Sequence, residues 1–140
     1  ISESNIYDAT YLDTFVMGDK KKVVIIQSMV RDVIAKDYEK FADYLADDVV
    51  FNLANGSSLS GKKSVIKHVK DTYSQVEIED YNVAVNLAVT GDNGHEWVLL
   101  WDNGKVVSDN GEVSSLDWMQ SFMFDGDKIS FINQFSKPRN

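Results

Sequence analysis

An α+β fold is predicted, with three N-terminal helices packed on one face of a strongly curved, mostly antiparallel sheet that forms a cone. Three observations predict it. Apolar residues recur at helical spacing in three successive stretches before Gln75, and beyond Gln75 the period changes to two. Asp-Asn-Gly and Asp-Gly-Asp signals then cut the remainder into consecutive strands, as in a meander. Helices that come first, rather than alternating with strands, segregate to one side of such a sheet. At 140 residues and 44% apolar, the chain can bury one real core, and no repeat, low-complexity tract or linker divides it.

Residues 1–18 are expected to form an N-terminal arm and residues 19–140 a single domain. The arm carries Glu3, Asp8 and Asp13 and no basic residue, while Tyr7, Tyr11 and Phe15 recur every fourth residue. Either a short helix on the body or a loose tail fits that spacing. From Asp19 to Lys36, Val23, Ile26, Val30, Val33 and Ile34 follow helical spacing, with Asp19 as the N-cap. Asp37 caps a second, shorter helix with Phe41, Tyr44 and Leu45 on its apolar face, and a strand follows at Val49-Val50-Phe51. Asn55-Gly56-Ser57-Ser58 is turn chemistry. Ser60 is the expected cap of a third helix that carries Val65, Ile66, Val69 and Tyr73 on one side.

In the sheet, Tyr81, Val83, Val85, Leu87 and Val89 alternate with Asp80, Asn82, Ala84, Asn86 and Ala88, and Asp92-Asn93-Gly94 closes a hairpin. The next strand places His95, Trp97, Leu99 and Trp101 on one face and Glu96, Val98, Leu100 and Asp102 on the other. Asp102-Asn103-Gly104 and Asp109-Asn110-Gly111 read as further turns. A strand from Glu112 to Phe124, a tight turn at Asp125-Gly126-Asp127 and a strand from Lys128 to Phe135 complete the reading.

The chain has no cysteine, which excludes disulfides, thiol nucleophiles and Cys-ligated metals. Against 14 Lys and Arg stand 22 Asp and Glu, a net charge of −8 that argues against a nucleic-acid partner. Apolar runs such as Val23 to Ile26 fall far short of the roughly 20 residues of a membrane span. No metal is expected: His68 and His95 lack ligand spacing, and no glutamate stands where a calcium loop beginning at Asp92, Asp102 or Asp109 needs one. No cofactor is expected either. The chain starts at Ile1 without Met and reads as a processed or truncated product. An acidic leader fits a spacer behind a removed export signal, periplasmic or extracellular, and equally an ordinary arm, so the compartment stays open.

Trp97, Trp101, Trp118, Phe122 and Phe124 gather in the two central strands, on the odd positions of the earlier and the even positions of the later. They are either plain core or a pocket wall. The pocket reading is preferred, because a curved sheet under three helices leaves a cone incompletely filled and each indole N–H needs a partner. Gln120 interrupts the row Leu116, Trp118, Phe122, Phe124 and is the expected polar handle. His95 is the candidate acid/base group, though beside a turn a solvated histidine fits as well. Asn82, Ala84, Asn86, Val98, Leu100, Met119, Ser121 and Met123 make the other sheet face too apolar for plain solvation, which predicts a homodimer.

The run Asp37 to Phe51 with its Ala46-Asp47-Asp48, the start Gly61-Lys62-Lys63-Ser64-Val65-Ile66 and the hairpin Phe124-Asp125-Gly126-Asp127-Lys128-Ile129 together resemble the nuclear transport factor 2-like superfamily. Its members include SnoaL-like polyketide cyclases, ketosteroid isomerases and scytalone dehydratase. The resemblance covers about residues 19 to 137 and implies the cystatin-like cone, often dimeric through its outer sheet face. The isomerase branch uses a carboxylate base with a tyrosine and a protonated aspartate as donors. Carried onto this chain, those places hold Leu53, Met29 and Gln120, so that proton-transfer triad is absent. The expectation is thus a SnoaL-like protein binding a small apolar or aromatic molecule, with Met29, Leu53, Trp97, Trp101, Trp118, Gln120 and Phe122 around it. The alternatives are an interaction module acting through the outer face, and a lyase, hydratase or cyclase using His95.

Overall fold

The computed structural model describes residues 6–11 and 15–139. In chain order the elements are β1 (Val16–Met17), α1 (Lys20–Ile34), α2 (Tyr38–Asp43), β2 (Leu45–Asn52), β3 (Ser58–Ser60), α3 (Lys62–Tyr73), β4 (Val76–Thr90), β5 (Glu96–Ser108), β6 (Val113–Asp125) and β7 (Lys128–Pro138). The strands form one sheet in the order β1-β4-β5-β6-β7-β2-β3. Only the β2–β7 pair is parallel; every other neighbour is antiparallel. The α+β class and the helices-on-one-face arrangement are as the sequence predicts.

Local chemistry explains most element ends. Asp19 caps α1 by accepting from the Lys21 N–H, and Asp37 caps α2 by accepting from the Lys40 N–H. Gly61, not Ser60, occupies the N-cap of α3; its φ of 92° lies where a side chain is strained, and no side chain caps this helix. The strand expected from Val49 already begins at Leu45, where it pairs with Ile129. The helical face expected of Tyr7, Tyr11 and Phe15 does not form in the described residues, while positions 12–14 lie outside them. Instead, Val16 and Met17 pair with Thr90 and Val89 at the sheet edge.

The core fills the concave side of the sheet. Ile26 and Met29 of α1, Phe41 of α2 and Val65 and Val69 of α3 pack on Val98, Leu100, Phe122 and Ile132. Two ionic clusters tie helices to the body. The Lys22 ammonium is buried, binds Asp127 at 2.9 Å and the Gly126 carbonyl, and stands 5.2 Å from the Phe124 ring centroid. Asp32 is also buried and accepts from the Tyr44 hydroxyl at 2.6 Å and from Arg31 Nε at 3.2 Å. Burial alone would raise the Asp32 carboxyl, but these donors outweigh it and hold the group below its ordinary value. Near this junction the Tyr38 hydroxyl is buried without a hydrogen-bond partner among the described residues.

The central strands correct the predicted faces. Val98, Leu100, Asp102 and Gly104 are the buried side of β5, so its even positions face the core and Trp97, Leu99 and Trp101 face outward. Asp102-Asn103-Gly104 is no turn; it runs on as strand, paired with Trp118, Asp117 and Leu116. Strand β4 changes sides through irregularities between Glu79 and Asn82 and between Val83 and Val85. At the first, Asp80 takes φ 50°, a left-handed conformation that a short polar side chain tolerates, and the Asn82 amide donates to its carbonyl at 2.9 Å.

Candidate functional site

A cavity opens between the helices and the concave sheet face. Helical spacing on α1 brings Met29, Val30, Val33 and Ile34 to one wall, and α3 adds Val69 and Tyr73. Period two on β6 brings Trp118, Gln120 and Phe122 to the opposite wall, with Ile132 and Gln134 beside them on β7. Phe41, Phe51 and Ile78 fill the remaining sides. Gly104 lies beneath the Trp118 ring, where an added Cβ would stand 3.5 Å from Trp118 Cζ3 and from Ile78 Cγ2.

The polar groups of this cavity converge on Asp102. Its Oδ2 accepts from the Tyr81 hydroxyl, and its Oδ1 accepts from Gln120 Nε2 at 3.3 Å. Gln120 Oε1 in turn accepts from Gln134 Nε2 at 3.4 Å. The β4 irregularity beside Asp80 is what turns Tyr81 inward, opposite the side-chain-free Gly104. Burial pushes the Asp102 carboxyl above its ordinary value, and the bonds from Tyr81 and Gln120 only partly offset that. Burial, and then the neighbouring Asp102 carboxyl, raise the Tyr73 and Tyr81 phenols, so both are hydroxyl donors at neutral pH. A buried carboxyl with a raised pKa is a group able to give or take a proton.

Of the residues expected here, Met29, Trp118, Gln120 and Phe122 line the cavity. Leu53 does not; it packs against the core from the turn after β2. Trp97 and Trp101 do not either, because the face of β5 that carries them is the convex one. His95 is exposed on that same side, in contact with the Tyr11 hydroxyl, which also accepts from Trp97 Nε1 at 3.2 Å. Sequence reasoning missed Asp102, Tyr81, Tyr73 and Gln134. The signal for Asp102 was its parity with Val98 and Leu100, hidden by the turn reading of Asp102-Asn103-Gly104.

The convex face is organised in rows. Trp101 pairs with Val85 and Met119, and Met119 pairs with Phe135. Trp101, Met119 and Phe135 are 42%, 49% and 63% exposed, so this row is bare. The neighbouring end is covered: Tyr11 packs edge-on against Trp97, with the Phe15 ring tilted against Tyr11 at 4.9 Å between centroids. Val98 and Leu100, expected on this face, point into the core, and Asn86 turns to the helix side, where Gln27 donates to it.

Among the described residues no three His, Cys, Asp or Glu side chains are placed to share a metal ion. No helix among them is long and apolar enough to cross a membrane.

A family model described as SnoaL-like domain matches residues 26–132. A search of curated proteins found no match. Among solved structures, an LEH-like epoxide hydrolase of M. tuberculosis superposes with a TM-score of 0.69 at 13% identity, covering 90% of this chain and 86% of its own. A steroid delta-isomerase of Pseudomonas aeruginosa gives 0.63 at 16% identity, over 86% and 82%. A protein assigned as a SnoaL-like polyketide cyclase of Shewanella denitrificans gives 0.65 at 12% identity, over 85% and 92%. At such identities the likeness establishes the shared cone and not a shared reaction.

Proposed function

This chain belongs to the SnoaL-like domain family, and from that premise we propose that it binds a small, largely apolar molecule in its cone, held at one end by Asp102, Tyr81 and Gln120. The observation that carries this reading is the convergence of those polar groups at the end of an otherwise apolar cavity, the usual make-up of a small-molecule site. Asp102 is the group there suited to proton transfer, which fits a family containing isomerases and cyclases and supplies a tuned group where the isomerase triad is missing. The test is calorimetric titration of naphthylmethanol, an aromatic body with one hydroxyl. Saturable one-to-one binding is expected, weakened about tenfold or more, or roughly 1.4 kcal/mol, by Val30→Trp, which puts an indole on the cavity wall. Absence of binding, or binding indifferent to that substitution, overturns the proposal.

A second reading, compatible with the first, is a homodimer through the convex face. It is favoured by the bare row Trp101, Met119, Phe135, whose exposed apolar area is contiguous across three strands. Sedimentation at micromolar concentration should give twice the 15.8 kDa chain mass, and Met119→Lys should return it to the monomer. A monomeric mass for the unaltered protein rejects this interface.

A further inference from the structure

The cavity has a charge imbalance. Among the residues that line it, Asp102 is the one that can carry a charge at neutral pH, and none is Lys, Arg or His. Among the described residues the side chains that bond its carboxyl are neutral, the Tyr81 hydroxyl and the Gln120 amide. Among the described residues, Lys22, Arg31, Lys105 and Arg139 pair with other carboxylates, those of Asp127, Asp32, Asp80 and Asp117. Asp102 itself is only 5% exposed, so no bulk solvent compensates it.

The polar network is also oriented. Tyr81 and Gln120 both present hydrogens to the carboxyl, and Gln134 presents its own to the far end of Gln120, so the amide dipoles line up with their positive ends towards Asp102. Such an arrangement supports negative charge on the carboxyl without cancelling it. An ionised carboxylate buried among neutral partners costs several kcal/mol unless an opposite charge reaches it. Around it stand the rings of Tyr73, Tyr81, Trp118 and Phe122, whose faces attract a cation.

We infer that the cavity selects small amines with an apolar or aromatic body, the ammonium group pairing with Asp102 and the body lying among Val33, Phe51, Phe122 and Ile132. This rests on the cavity being a ligand site, as proposed above, and adds the chemical class of the ligand. The net charge of −8 draws such cations towards the protein, whereas a carboxylate ligand would meet Asp102 with like charge.

The experiment compares three probes of one shape, naphthylmethylamine, naphthylmethanol and naphthoate, by calorimetry at about pH 8. The amine should bind at least about tenfold tighter than the alcohol, with naphthoate weakest. Asp102→Asn should erase the preference, bringing amine affinity to that of the alcohol measured in the same variant. In the unaltered protein, amine affinity should fall on acidification as Asp102 takes up a proton, and fall more steeply than alcohol affinity. The titratable groups facing Asp102 are Tyr73 from α3 and Tyr81 from β4, both neutral throughout that range; α1 presents Met29, Val30 and Val33, and β6 and β7 present glutamines. Alcohol binding as tight as amine binding overturns the amine inference and leaves the cavity reading standing. So does a preference that survives Asp102→Asn, or amine binding indifferent to pH if that variant fails to fold. If none of the three binds, both fall.

Discussion

The Tyr81 hydroxyl reaches Asp102 only because β4 carries one extra residue opposite Gly104. A regular strand would have sent Tyr81 to the convex side, and the carboxyl would have lost its strongest donor. Removing that hydroxyl with Tyr81→Phe should therefore cost about 1.5–3 kcal/mol when Asp102 is ionised, the range for a bond to a charged group. The cost should shrink in acid, once the carboxyl is neutral. Urea unfolding at two pH values reads both numbers.

Asp102 itself gives stability a particular slope. Its folded pKa is raised, so the native state holds the proton more tightly than the unfolded chain does. The contribution is full below the ordinary carboxyl value and is lost as pH rises through the folded value. Asp102→Asn cannot ionise, so the variant should gain on the parent as pH rises, by about 1.4 kcal/mol for each unit by which the carboxyl is displaced. Parallel denaturation series from acid to mildly alkaline pH would show the two curves converge or cross; parallel curves would refute the shift.

Asp32 works with the opposite sign. Its folded pKa is lowered, so its stabilisation is present above the ordinary carboxyl value and disappears as pH falls through the folded one. Asp32→Asn should destabilise at neutral pH by about 1–3 kcal/mol and lose that deficit in acid. Tyr44→Phe, which removes a donor to the same carboxylate, should follow the same pattern with a smaller amplitude.

Tyr38 offers a gain. Its hydroxyl is buried without a partner among the described residues, so Tyr38→Phe removes an uncompensated group at no loss of packing. An increase of up to about 1 kcal/mol is expected, visible as a higher denaturation midpoint.

The tryptophans separate core from surface. Trp118→Ala should cost about 3–5 kcal/mol through lost burial and an enlarged cavity. Trp101→Ala, on the bare convex row, should change monomer stability by no more than about 0.5 kcal/mol. Equal effects would contradict the assignment of faces.

Much of the fold was legible in the sequence for identifiable reasons. Asp19 and Asp37 announced helices because a short acidic side chain at a helix start has one obvious use. Even positions on β6 read correctly because Trp118, Phe122 and Phe124 outweigh Met119 and Met123 in bulk. Strand β5 did not, since Trp97, Leu99 and Trp101 oppose Val98 and Leu100 and both faces look apolar. An Asp-Asn-Gly triplet has turn chemistry at 109–111 and strand geometry at 102–104, and only pairing with Leu116 to Trp118 distinguishes them. The irregularities in β4 have no local signature, so a strictly alternating reading carried Tyr81 onto the same face as Val89. The acidic floor of the cavity was hidden by those two errors together.

Placing Trp118 inside the cavity, Trp97 under Tyr11 and Trp101 in the open gives the protein three native optical reporters. Trp118 emission should respond to cavity occupancy, Trp97 emission to lifting of the N-terminal segment, and Trp101 emission to a partner arriving on the convex face. Variants keeping one indole each, with phenylalanine at the other two positions, would let the three events be followed separately by fluorescence in a single unlabelled chain.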